Sequence, residues 1–137
     1  MLALAGWTLI VWLWMYATRL PAMSRAGIDG IGMVGSTGKS LRDDLVAKGE
    51  VRTSWVADNY NHLHEQPTVF YATCLALAVM GAGTGLAVQL AWGYTALRVV
   101  HSLVQILSNR VVVRFSVFML ASLCLIGLVV LALLTAA

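Results

Sequence analysis

Charge is confined to a few short stretches of this chain, and the intervals between them are long enough to cross a lipid bilayer. No charged residue occurs from Met1 to Thr18, and none after Arg114. At 1.5 Å per residue, about 20 residues span a hydrocarbon core. Across all 137 residues, 60% are hydrophobic and 11% charged, and the mean hydropathy is +0.83. A soluble domain carries roughly 25% charged residues, so this chain has too few to cover a surface facing water. An ordinary soluble enzyme, a disordered tail and a collagen-like rod are excluded, and a membrane protein is implied.

The pattern predicts an all-α membrane protein, a single four-helix domain over residues 1–137. The first span covers about 2–20. No base precedes it, whereas a secretory signal needs one. A polar, glycine-rich loop follows over about 25–53, with a short helix at 41–48 that Ser40 caps and Gly49 stops. The second span covers about 54–80, with a kink at Pro67 that a membrane helix tolerates. An uncharged turn at Gly81–Gly85 leads to a third span over about 86–108. Asn109-Arg110 connects it to a fourth over about 111–135.

The net charge of +3 and the pI of about 9.2 do not point to nucleic acid, because most of the bases flank apolar spans. They act instead as a topology signal. Both basic connections fall on the cytoplasmic side and both chain ends on the other. Asp58–Glu65, Arg98–Gln105 and Arg110–Arg114 then lie at one depth on three helices. At about 100° per residue, Asp58, Asn61, His62 and Glu65 share a face, as do Arg98, His101 and Gln105. Glu65 and Arg98 are expected to be neighbours. Ionisable groups at that depth mark function by default, and the excess of arginine suits an anion.

Other motifs carry less. Gly38-Lys39-Ser40 has the ending of a phosphate-binding loop, but Met33 stands where that motif needs a glycine. His62 and His64 are two residues apart on a helix and point to different sides, which argues against a metal site. Cys74 and Cys124 sit in apolar runs and read as small buried side chains. The polar groups occupy one half of the membrane only, so they form no ion path.

Asn61-His62-Leu63-His64-Glu65-Gln66-Pro67, with Phe70 following, resembles the second-helix motif of the MAPEG family, the membrane-associated proteins of eicosanoid and glutathione metabolism. Arg98-Val99-Val100-His101, with Gln105 and Arg114 beyond it, resembles that family's third-helix motif and the start of its fourth helix. The resemblance implies a four-helix bundle that assembles as a homotrimer in a bacterial inner membrane. It further implies glutathione bound in a cleft open to the cytoplasm. Arg114 would stabilise the glutathione thiolate. Glu65, Arg98, His101, Asn61, His62, Gln105, Arg110 and Arg25 would contact or line the ligand. Phe70 and Phe118 would face a lipophilic small molecule arriving from the bilayer.

The implied activity is that of a membrane-bound glutathione transferase or peroxidase acting on lipophilic electrophiles. The chain departs from the glutathione-using pattern at Asp58, where an arginine is usual, at Gln105, where a tyrosine is usual, and at Phe115. Those departures suit an alternative, a non-catalytic member that binds lipid or acts as a scaffold.

Overall fold

The computed structural model describes residues 1–137 and is all-α, with no strand. Six helices follow in order: α1 (Leu2–Arg25), α2 (Gly38–Ala47), α3 (Val51–His62), α4 (Gln66–Val79), α5 (Leu86–Leu107) and α6 (Val111–Ala136). The segment expected as one helix over about 54–80 is two helices, broken at Leu63–Glu65. Pro67 explains where the break falls. A helical proline lacks the N–H that would bond the carbonyl four residues back, and its ring collides with that carbonyl. Here that carbonyl belongs to Leu63, which ends α3, while Pro67 sits in the first turn of α4, where its missing donor costs nothing.

The short helix expected at 41–48 within the polar stretch is present as α2, beginning three residues earlier, and the next helix, α3, begins at Val51 rather than near 54. Ser40 is not the cap of α2. Thr37 is, with its Oγ1 accepting from Ser40 N at 3.1 Å while Ser40 Oγ accepts from Thr37 N at 2.9 Å. This reciprocal box satisfies two otherwise orphaned donors. Gly49 follows α2 at φ +88°, a left-handed conformation that suits glycine.

Packing is most extensive between α5 and α6, where glycines make room for side chains of the facing helix. A Cβ on Gly127 would lie 3.0 Å from Leu90 Cδ1, and one on Gly93 would lie 3.4 Å from Cys124 Sγ. Close approach of this kind drives helix association where lipid tails remove the hydrophobic force. Phe70, Tyr94, Leu4, Val11 and Leu128 are fully buried in the core. Phe70 stacks on Tyr94 with centroids 4.4 Å apart, so it is a core side chain and does not face a substrate as expected. The outer surface is apolar: Leu2, Val79 and Val112 are 88%, 82% and 78% exposed. A soluble monomer rarely presents so continuous an apolar exterior. α6 is, by length and composition, suited to cross a membrane.

Arg25 ends α1 and is held by the polar segment. Its Nε and Nη2 donate to the two carboxylate oxygens of Glu50 at 2.8 and 3.0 Å. That hydrogen bonding, and then the guanidinium charge, holds the Glu50 carboxyl below its ordinary range. A lowered folded value means that the pair stabilises the fold above the ordinary carboxylate range. The contribution is lost as pH falls through the lowered value. A spin label at the exposed Val34 is therefore expected to gain mobility through that acidic window. Glu50→Gln should show the mobile spectrum already at neutral pH and no step on acidification. An unchanged step in the variant would show that another group anchors the segment.

Candidate functional site

The break between α3 and α4 builds the centre of a cleft. An uninterrupted helix would bond the His62 carbonyl to the amide four residues on. Here that bond is absent; the His62 carbonyl accepts a long bond from Glu65 N at 3.4 Å and a short one from Arg98 Nη2 at 2.7 Å. Arg98 comes from the middle of α5 and is 1% exposed. Its Nε and Nη1 are buried and have no partner. The Arg98 guanidinium also lies 5.7 Å from the Phe118 ring centroid, within cation–π range.

Two contiguous cavities meet at this point. The inner one, about 280 Å³, is lined by Arg98, His101 and Gln66 with Phe115 and Phe118 of α6. The outer one, about 420 Å³, is lined by Arg42, Asp58, Asn61, Gln105 and Asn109. His62, Glu65 and Arg114 line both. The cleft therefore has a wholly polar outer lobe and an inner lobe that is partly aromatic, joined at two charged groups and an imidazole.

Arg114 owes its position to the turn before α6. Asn109 adopts φ +48°, a conformation asparagine tolerates better than most residues. Its Oδ1 then accepts from Arg114 Nη1 at 2.7 Å. A guanidinium has five N–H donors, so the bond steers Arg114 and leaves donors for the cleft. Gln105 is 1% exposed, and its Oε1 accepts from Asn59 Nδ2 at 3.2 Å. His62 Nδ1 lies 3.1 Å from the same oxygen. Gln66 donates from Nε2 to Ser122 Oγ at 2.9 Å and accepts from Tyr94 OH at 3.3 Å, tying α4 to α5 and α6 below the cleft.

Of the residues singled out from sequence, the structure brings Arg114, Glu65, Arg98, His101, Asn61, His62 and Gln105 to this cleft. Glu65 and Arg98 line the same inner lobe, but they form no ion pair, since Arg98 takes the His62 carbonyl instead. Two residues lie elsewhere. Arg110 is exposed as the N-cap of α6, and Arg25 lines a separate cavity with Glu50. Arg42 was not singled out. It arrives from α2 and pairs with Asp58 at 3.1 Å. The signal for it is faint: Arg42 stands three residues before Leu45, the one buried residue of α2.

Chemically, the inner lobe offers two arginines against one carboxylate beside an aromatic wall. It can take an anion whose other end is apolar. Among known proteins, residues 1–134 match the model of the MAPEG family. No curated protein and no solved structure matches the chain.

Proposed function

The chain belongs to the MAPEG family, and on that premise we propose that its cleft binds glutathione and transfers it to lipophilic electrophiles. The observation that carries this reading is the buried Arg98 guanidinium with two unpartnered nitrogens beside Arg114, Phe115 and Phe118. Ionisable groups so placed within a membrane segment are costly and mark function by default. The orphaned donors fit an anionic ligand with an apolar reaction partner. Glutathione supplies a thiol, which loses its proton as its sulfur forms a bond to carbon and the electrophile's leaving group departs; alternatively, two glutathione thiols are oxidised to the disulfide as a lipid hydroperoxide is reduced to the alcohol and water.

This chain's own residues then have distinct roles. Arg114 holds negative charge at the sulfur, since a neighbouring cation lowers a thiol's pKa. Arg98 orients a carboxylate or the thiolate from below. Glu65 accepts from the ligand's ammonium. His62, His101, Asn61 and Gln105 line and shape the pocket. The same reading places four membrane-crossing segments in the bundle, namely α1, α3 with α4, α5 and α6. It places both chain ends on the non-cytoplasmic side, and the assembly as a homotrimer in a bacterial inner membrane. The exposed apolar exterior, which lipid and other copies would cover, supports that arrangement.

The alternative, a non-catalytic lipid-binding or scaffold member, is favoured by one observation: Asp58 is already satisfied by Arg42, so part of the polar lobe is self-contained. Thermal unfolding in detergent separates the two. Glutathione at 100 times its Kd is expected to stabilise the enzyme by about 2.7 kcal/mol. A chain whose melting is indifferent to glutathione, and which conjugates none to a chlorinated nitroaromatic, is the scaffold.

A further inference from the structure

A third cavity, of about 310 Å³, lies between α1, α2 and α3. It backs onto the outer lobe of the cleft, and Arg42, Asp58 and Asn61 line both. Arg19 of α1 and Lys39 of α2 face it with them. Arg19 makes no hydrogen bond or ion pair, and its Nε is buried without a partner. The Nε of Arg42 is likewise buried and unpartnered. Two arginine side chains thus hold desolvated donors against one small cavity, a costly arrangement unless an acceptor completes it.

The balance of charge is positive. Arg19, Lys39 and Arg42 line the cavity against one carboxylate, Asp58. Asp58 is engaged with Arg42 through Nη2 at 3.1 Å, which leaves the other Arg42 donors free. Lys39 bonds Asp43 at 2.7 Å but stays highly exposed and free to turn. Gly38 opens α2 and forms part of the wall, so the positive end of that helix adds to the field.

Position decides what the acceptor is attached to. Arg19 is the first charged residue after eighteen uncharged ones, which puts it where the apolar part of α1 ends. On the same helix Leu13, Tyr16 and Leu20 are exposed, at 60%, 42% and 60%. A ligand anchored at Arg19 therefore has an apolar helix surface alongside it. Basic pockets between helices at the cytoplasmic edge of the hydrocarbon are suited to anionic headgroups. We propose that the cavity between α1, α2 and α3 is a phosphate site that takes the headgroup of an anionic phospholipid, with Arg19 and Arg42 as its paired donors. The inference rests on the bilayer placement proposed above and not on glutathione.

The test compares thermal unfolding of the purified protein in detergent with added phosphatidylglycerol, phosphatidylcholine or inorganic phosphate, for wild type and for Arg19→Gln with Arg42→Gln. Phosphatidylglycerol is expected to raise the Tm by several degrees, as a ligand of the folded state does. Phosphatidylcholine, which is neutral overall, should not, and the double variant should lose the response. Single Arg19→Gln carries the same readout if the double variant fails to fold, because Arg19 has no partner in the protein to lose. Equal stabilisation by the two lipids, or an undiminished response in the variants, overturns the site. A response to inorganic phosphate as large as that to phosphatidylglycerol overturns the lipid and leaves a soluble phosphate. Glutathione is titrated in parallel, and its failure to stabilise would remove the transferase reading without touching this one.

Discussion

Arg114→Ala is expected to lower glutathione-dependent turnover by roughly 10²–10³-fold, the loss seen when one donor to developing negative charge is removed. Arg114 stands at the join of the two lobes and is steered by a single bond, from its Nη1 to Asn109. On the proposed reading, removing it takes away the cation beside the glutathione sulfur, so the bound thiol would ionise at higher pH. The rising limb of the pH–rate profile should therefore move to higher pH, with kcat falling more than KM rises. Arg114→Lys keeps the charge but not the planar fork, and should recover part of the rate. Because Arg114 is only partly buried and its partner sits in a turn, the variant should keep its helical signal. Wild-type turnover that survives Arg114→Ala with an unmoved pH profile would assign the thiolate to another group.

What could be read in advance follows the range of the interactions involved. Helix periodicity and the punctuation by Gly81–Gly85 and Asn109-Arg110 are local, and α5 and α6 lie where those signals put them. The convergence of Glu65, Arg98, His101, Gln105 and Arg114 was legible too, because helix phase and membrane depth are both linear in residue number. The break at Leu63–Glu65 was harder. Pro67 is visible in sequence, but its effect falls on the carbonyl four residues earlier, and only the structure shows Arg98 taking the neighbouring carbonyl of His62. Arg42 was barely legible. The glycine-rich stretch before α2 lets that helix settle in many places, and its seat is set by burial of Leu45 and by the pair with Asp58. Arg25 went the other way: Glu50, 25 residues on, captures it away from the cleft.

Arg98→Met is expected to make the protein more stable and to abolish glutathione binding in the cleft. The arginine is 1% exposed, donates one hydrogen bond, and leaves Nε and Nη1 without partners. Phe118 lies near its guanidinium, and no carboxylate forms an ion pair with it. Replacing buried charged groups by apolar side chains of similar volume is often neutral or stabilising, by about 1–4 kcal/mol. Methionine is long enough to fill the space, and its flexibility lets it adapt to the irregular lobe beside Phe118. The lost bond leaves the His62 carbonyl short of one partner, which offsets part of the gain by about 1 kcal/mol. A net rise in Tm is the expected result, together with loss of the shift that glutathione induces. Gain of stability with loss of binding is the signature of a residue kept for a ligand. If Arg98→Met instead lowers stability by about 3–5 kcal/mol, as loss of one partner from a completed buried pair does, the guanidinium is holding α3 to α5, and the cleft's charge belongs to the fold.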